Sequence, residues 1–322
     1  MSWWKPLIQA GAVAGSGSKG EEPEAAEPAE LVEDGELRAH EIPAQPRIPR
    51  AVSFLNGFER WGVRAYDGVI PIVDAYAAAA VRRREGRKGL EAVGLRQRSF
   101  AVAAVGSMTP SLRQLLEQAI RPGDIEPVDG EFVGQPARYL EQVETIVRRA
   151  RAHLERELAE AAIERLAAEE WLVLDGLLSR SPAVARHPRA LGVIKSHGAQ
   201  FLEGRGLERA LTLPVGHRTS VFAVRGGHTR TETYSWYMRL WPWEGNDLLY
   251  GLLRIEARAH ADTVAQASEL SGWLWSERAP LATPATRWDR LLYPLHQVEE
   301  YLRALAPRDV MQRASRLPRL AS

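Results

Sequence analysis

The pattern of apolar and polar residues predicts strands and turns from about residue 48 onward. Residues 49–55 are typical of a strand, Asn56-Gly57 favours a tight turn, and residues 60–66 predict the returning strand of a hairpin. Asp67-Gly68 predicts the next turn. The alanine-rich residues 73–84 are compatible with a helix or with a third strand, and alanine itself favours the helix.

Helices and strands mix in the remainder, which indicates an α/β protein. Apolar residues recur at three- and four-residue steps from about residue 134 to 166, which predicts one long amphipathic helix. The run from Glu170 to Asp175 predicts a buried strand, and Asp175-Gly176 predicts a turn with a carboxylate at the tip of that strand. The other predicted elements are strands at 99–105, 190–197, 219–225, 234–241 and 248–256, helices at 109–120, 262–275 and 291–305, and a helix or loop at 201–211.

Composition removes several classes of protein. The 322-residue chain has no cysteine, which excludes a disulfide scaffold, a cysteine-ligated zinc site and a thiol nucleophile. No apolar run approaches the ~18 residues that a membrane-spanning helix needs. The first 15 residues make a poor secretory signal, because glutamine and glycine interrupt their short apolar run. We therefore expect a soluble, cytoplasmic protein.

Charge is placed unevenly along the chain. Residues 1–50 hold nine acidic and five basic residues, whereas the whole chain has a net charge of +1, so the body is modestly basic. Residues 1–47 are also rich in Gly, Ser, Pro, Glu and Ala, which predicts a disordered acidic tail that serves as a linker or competes for a nucleic-acid groove. Trp3 and Trp4 suggest a short docking peptide on that tail. We expect one domain over 48–305 and a C-terminal tail over 306–322.

The order of candidate ligands suggests metal chemistry on nucleic acid. A strand that ends in an acidic or amide residue plus glycine, then a helix with glutamates, then a strand that ends in Asp175-Gly176, is typical of ribonuclease-H-like nucleases. Such sites use carboxylates because Mg²⁺ and Mn²⁺ bind oxygen, and two ions stabilise the attacking water and the leaving oxygen of a phosphodiester. The alternative is plain turn chemistry, for which Asp-Gly is common.

Six short segments, taken in order, resemble the NurA domain, a DNA end-processing nuclease that works with the hexameric translocase HerA. The resemblance covers about residues 48–305 and is to divergent bacterial members. It implies a ribonuclease-H-like mixed sheet flanked by helices, and it favours a strand at 73–84. The segments are Phe54-Leu-Asn-Gly57, Leu172-Val-Leu-Asp-Gly-Leu-Leu178, Gly192-Val-Ile-Lys-Ser-His197, Ser235-Trp-Tyr-Met-Arg-Leu240, Leu253-Arg-Ile-Glu256 and Leu292-Tyr-Pro294.

The resemblance implies a set of metal ligands in which one position departs from the family. Asp175 falls on an aspartate ligand and Glu157 on the helix glutamate, with Glu155 and Glu160 as alternatives. Asn56 stands where the family has its first metal-binding aspartate, and a neutral amide binds a divalent ion more weakly. Asp67 is a possible substitute for that aspartate, and Asp74 is a weaker one.

Further residues complete the predicted site. Lys195 is expected to hold a phosphate or to orient water, although a solvated lysine is the simpler interpretation. Glu256 is a further metal ligand or the partner of Arg239 or Arg254 in an ion pair. Tyr293 matches the family's C-terminal tyrosine, with His296 as a possible stand-in for its histidine. We expect nucleic-acid contacts from Lys195, Arg180, Arg239 and Trp236, and at most two contacts from the aromatic group Trp236, Tyr237, Trp241 and Trp243, because alternation on a strand buries half of them.

The resemblance thus implies a DNA nuclease that uses Mn²⁺ or Mg²⁺, acts on DNA ends or single strands as a homodimer, and docks on a HerA-type (FtsK-like) hexameric ATPase. Asn56 motivates a second hypothesis, in which the chain is a catalytically inactive NurA-like adaptor that docks the translocase or guides DNA. A third, a ribonuclease or transposase-like enzyme, depends on fold analogy alone.

Overall fold

The computed structural model describes residues 24–25, 28–86, 88–225, 231–280 and 287–308. The chain forms two compact units. The first contains the described residues up to Phe54 together with those in Arg83–Leu90 and Ala162–His296. The second contains Leu55–Arg82, Glu91–Ala161 and the described residues from Gln297 onward. The domain expected over residues 48–305 therefore draws on both units.

Strands and helices follow one another along the chain in a mixed order. The strands are β1 Glu24–Ala25, β2 Glu30–Leu31, β3 Ala39–Glu41, β4 Ala51–Asp67, β5 Ile70–Glu85, β6 Glu91–Ala103, β7 Ile125–Pro127, β8 Glu170–Asp175, β9 Ala190–Ile194, β10 Ala199–Gln200, β11 His217–Thr219, β12 Phe222–Arg225, β13 Glu232–Arg239 and β14 Leu252–Arg258. The helices are α1 Pro110–Ala119, α2 Pro136–Ile163, α3 Pro182–Ala185, α4 Gly204–Leu211, α5 Ala261–Ser276 and α6 Tyr293–Leu305.

The first unit contains a large mixed sheet. Its strands run in the order β2-β12-β13-β14-β9-β8, and β11 links β13 to β3. The pair β8–β9 is parallel, while β12, β13 and β14 are antiparallel neighbours. Helix α5 covers this sheet, where the buried Trp236 indole donates a hydrogen bond to Ser271 Oγ at 2.8 Å. Buried apolar residues on β8, β9, β12, β13 and β14 make these strands the core of the unit.

The second unit consists of strands and the long helix α2. Its apolar stripe, which includes Tyr139, Val143 and Val147, packs on buried residues of β5 and β6 such as Val73 and Phe100. The phenol of Tyr139 donates to the carbonyl of Pro71 at 3.0 Å and accepts from the backbone N–H of Ala104 at 2.9 Å. The expected long helix is confirmed, and residues 73–84 are a strand rather than a helix.

The hairpin predicted at Asn56-Gly57 is wrong. Residues 51–67 form one uninterrupted strand, and the turn comes only at Gly68, whose φ is +58°. Gly57 serves close approach instead, because a Cβ at this position would lie 2.2 Å from Glu155 Oε1. Glycine is thus required at position 57, but for the close approach of Glu155 and not for a turn.

The prediction of a disordered acidic tail is wrong for residues 28–47, and residues 1–23, 26 and 27 lie outside the described residues. Residues 28–47 belong to the first unit rather than to a disordered segment, with Leu37 in a buried cluster and strands β2 and β3 in the sheet. Acidic residues of this segment pair with arginines of the body, as Glu33 does with Arg218 and Glu36 with Arg209. Burial of Leu37 and the partly buried Glu33–Arg218 pair stabilise this segment, which composition alone does not reveal. Trp3 and Trp4 lie outside the described residues.

Candidate functional site

Asp175 and Lys195 meet at the carboxyl ends of the parallel strands β8 and β9. Asp175 is the last residue of β8 and pairs in register with Val193. Lys195 lies two residues beyond Val193, so alternation places it on the same face as Asp175. Its ammonium donates to Asp175 Oδ2 at 2.5 Å, and both side chains are partly exposed. The predicted anchor carboxylate is therefore neutralised by the lysine that was predicted to hold phosphate.

Glu256 lies on the other face of this sheet. It pairs with Gly192, which pairs in turn with Leu174, and so it does not share a face with Asp175. The Glu256 carboxylate is buried and accepts a hydrogen bond from Arg254 Nη1 at 2.7 Å and another from the backbone N–H of Leu178 at 3.0 Å. Of the two interpretations that the sequence left open, the structure shows the ion pair with Arg254.

Gly192 permits the loop after Asp175 to cross the sheet. A Cβ on Gly192 would lie 2.6 Å from the carbonyl oxygen of Gly176 and 3.2 Å from the backbone N of Leu178. Gly176 has a φ of +128°, a conformation that glycine adopts readily. These two glycines let Leu178 approach Glu256, and they fix the end of the strand that carries Asp175.

Substitution of Gly192 by alanine should destabilise the protein by about 1–3 kcal/mol, because the new methyl group meets backbone atoms that cannot move independently. Urea denaturation followed by circular dichroism measures this. Gly206→Ala is the matched control, since Gly206 lies in helix α4 with nothing within 4 Å of the added Cβ and should be neutral or stabilising. Equal effects of the two substitutions would contradict the close approach.

Asn56 and Glu155 both belong to the second unit, but alternation along strand β4 directs the Asn56 side chain away from the face of Gly57 over which Glu155 lies. Asn56 is buried and its Oδ1 accepts from the backbone N–H of Gly57 at 2.8 Å. The side chain of Glu155 crosses directly over Gly57, and its Oε1 accepts from Arg151 Nη1 at 2.7 Å. Arg151 also binds Glu59 at 3.0 Å. Glu155 is thus the glutamate of helix α2 that lies over Gly57, and its carboxylate is paired with the cation of Arg151.

Glu157 and Asp67 are placed elsewhere. Glu157 is half-exposed on α2 and lies 3.3 Å from His153. Asp67 is at the far end of the strand that carries Asn56, eleven residues on, which corresponds to ~36 Å of extended chain. Its carboxylate accepts from the backbone N–H of Thr109 at 2.6 Å, ahead of helix α1. Asp67 therefore cannot take the place of the missing aspartate, and Asp74 pairs with Arg64 at 2.5 Å.

Two of the expected nucleic-acid contacts are buried. Trp236 is fully enclosed under helix α5, so its ring has no face for a base. Arg239 is also enclosed and donates to the backbone carbonyls of Leu211, Leu213, Leu248 and Tyr250. Burial lowers the pKa of Arg239 to about 10. Both residues stabilise the fold. The prediction that Trp236 and Arg239 contact DNA is therefore wrong.

Arg180 and Tyr293 lie at the surface of the first unit. Arg180 is exposed at the end of the short 3-10 turn Leu178–Arg180, next to Gly176. Helix α6 begins at Tyr293, which is 43% exposed. The ring centroid of Tyr293 lies 6.4 Å from that of His296. Neither position by itself defines a chemical role.

A group that the sequence analysis missed could hold a metal ion. Among the residues that the structure describes, only Glu33, Asp34 and His40 bring three potential ligand atoms within 4.8 Å of one another. Arg218 binds both oxygens of Glu33 at 2.7 Å, and Ser220 donates to Asp34 at 2.6 Å. The short spacing from Glu33-Asp34 to His40 was the sequence feature that could have predicted this group. It was overlooked because composition predicted disorder for this segment.

The charges of this group are stabilised by its neighbours. Burial raises the pKa of Glu33, but the hydrogen bonds from Arg218 and from the backbone of Val221 outweigh it, and the pKa is lowered overall. The hydrogen bond from Ser220 lowers the pKa of Asp34, and His40 adds to the effect. Both carboxylates are therefore already held in their ionised form by protein groups.

The fold and these sites define a mixed α/β protein with a large mixed sheet. A scan against protein-family models finds no match, and a search of curated proteins finds none either. Within the described part of the chain, every helix is too short or too polar to cross a membrane.

Proposed function

We propose that the chain is a NurA-like subunit on a ribonuclease-H-like fold that works at DNA ends with a HerA-type hexameric ATPase, and that it acts there as an adaptor rather than as the nuclease. The partner, the preference for DNA ends and the dimeric state rest on the resemblance to the NurA domain. One observation in the second unit favours the adaptor over the nuclease.

That observation is the pair of groups at Gly57. The position that the resemblance gives to the first metal-binding aspartate is held by Asn56, a neutral amide whose oxygen is engaged by a backbone N–H. The helix glutamate that lies over the next residue, Gly57, is Glu155, and it is paired with Arg151 at 2.7 Å. A divalent cation needs negative oxygen ligands, and a guanidinium in contact with the carboxylate supplies the positive charge that the ion would otherwise supply.

The other predicted ligands do not add the missing charge. Glu256 neutralises Arg254, Glu157 faces outward next to His153, and Asp67 binds Thr109. The residues present therefore do not fit the predicted set of Mn²⁺ or Mg²⁺ ligands. An adaptor needs only the fold and a surface that binds phosphates, and the positive net charge beyond residue 50 favours such binding.

A metal-dependent nuclease remains the second candidate, because Asp175 and Lys195 lie together at the carboxyl ends of parallel strands. Carboxylates and lysines at such positions are typical of sites that act on phosphate esters. In this case Mn²⁺ or Mg²⁺ would supply Lewis-acid chemistry, with Asp175 as its ligand.

Cleavage of linear DNA separates the two candidates. We expect the full chain to bind linear DNA but to leave it intact with Mn²⁺ or Mg²⁺, with and without the ATPase, and Asp175→Ala to behave identically. The matched control is Asp262→Ala, which removes an exposed aspartate of helix α5. Metal-dependent cleavage that Asp175→Ala abolishes and Asp262→Ala retains would contradict the adaptor and establish the nuclease.

A further inference from the structure

Arg278 is enclosed by indole rings in the first unit. Its guanidinium carbon lies 3.7 Å from the ring centroid of Trp275 and 4.9 Å from that of Trp241. Trp241 contacts Trp288 edge-on at 5.5 Å, and Trp288 contacts Tyr250 at 5.9 Å. We call these five residues the Arg278 cluster. All four rings are only partly buried, so the cluster reaches the surface.

The cluster has positive charge and donors without matching acceptors. Within the described ranges no carboxylate pairs with Arg278, whose guanidinium donates to the carbonyl of Trp275 at 3.0 Å. Burial lowers the pKa of Arg278. The indole N–H groups of Trp241 and Trp275 are likewise buried with no acceptor among the described residues. By contrast, the buried Arg254 has Glu256 and the buried Arg218 has Glu33.

This imbalance indicates an anionic ligand. A partly buried cation without a counter-charge costs free energy, and an oxygen-rich anion would relieve that cost. The two indoles restrain the guanidinium, so little side-chain entropy remains to be lost when it binds a phosphate through two parallel hydrogen bonds. The aromatic rings add π-faces of the kind on which nucleobases stack.

We infer that the Arg278 cluster binds single-stranded DNA, with Arg278 on a backbone phosphate and an adjacent base on one of the aromatic rings. The inference rests on the proposed function, because it names the surface through which such an adaptor would hold an unwound DNA end. An acidic peptide carries the negative charge but not the base, and so it satisfies only part of the cluster.

The test measures binding of a fluorescein-labelled oligo(dT) by anisotropy over a range of salt concentrations, with the full chain. Arg278→Gln should weaken binding about tenfold and reduce the salt slope by ~0.7, the value for one phosphate contact on a single strand. Arg278→Lys keeps the charge but not the two parallel hydrogen bonds. Its affinity for oligo(dT) should lie between those of the unsubstituted chain and Arg278→Gln. Arg225→Gln, an exposed arginine paired with Glu232, should change affinity less than twofold.

The outcomes distinguish this inference from the proposed function. Absence of DNA binding by the unsubstituted chain would overturn the proposed function and this inference with it. Binding that Arg278→Gln leaves unchanged in affinity and in salt slope would overturn the inference alone. Displacement of oligo(dT) by poly-glutamate at equal charge concentration, dependent on Arg278, would overturn it in favour of an acidic peptide. Circular dichroism and urea denaturation of each variant confirm that the fold is intact.

Discussion

Glu256→Ala should lower the free energy of unfolding by about 3–5 kcal/mol, the largest effect that we expect from a single substitution. The side chains of Arg254 and Glu256 are only 4% and 2% exposed, so removal of the carboxylate leaves a buried guanidinium without its partner. It also leaves the backbone N–H of Leu178 without an acceptor. Urea denaturation at neutral pH measures the loss.

Two further variants show whether the loss comes from the unpaired charge. The double substitution Arg254→Met with Glu256→Leu removes both charges at similar volume and should recover much of the stability. Glu232→Ala removes a partly exposed strand glutamate that pairs with Arg225 and should cost less than about 1 kcal/mol. If the double variant is no more stable than Glu256→Ala, packing and not charge is responsible.

Stability should fall by up to about 3 kcal/mol between pH 6.5 and pH 4 because of His197. Burial lowers the pKa of His197 from 6.5 to about 4, and the nearby Arg290, Arg254 and Arg239 add to the shift. Between these two pH values the unfolded chain binds a proton at this position and the folded chain does not. The contribution is therefore complete above pH 6.5 and is lost as the pH falls towards 4.

The variant His197→Gln should flatten this part of the profile. In the folded protein His197 Nε2 lies 3.0 Å from the carbonyl of Leu252, a bond that glutamine can also donate. Exposed His153 provides the control, since His153→Gln should leave the pH dependence unchanged. His187, whose pKa burial also lowers, contributes to both profiles equally and cancels in the comparison. An unaltered profile in His197→Gln would contradict the assignment.

Local patterns in the sequence were sufficient to predict most of the elements. The helices at 110–119, 136–163, 261–276 and 293–305 and the strand that ends at Asp175 lie close to their predicted positions. Periodicity and helix-start signals depend on residues a few positions apart, and these interactions are visible in one dimension. The prediction of a hairpin at Asn56-Gly57 was wrong because Gly57 instead leaves room for the side chain of Glu155. Glu155 is too distant in the chain for any local sequence pattern to include it.

The sequence by itself determined an α/β protein with a basic body, and it identified Asp175, Lys195 and Asn56 as the residues to examine. Only the tertiary structure decided that Lys195 neutralises Asp175, that Arg254 neutralises Glu256, and that strands β2 and β3 join the sheet. It alone brought Arg278 between two indoles. The energies of these contacts depend on distance and burial in three dimensions, which composition and spacing along the chain do not specify.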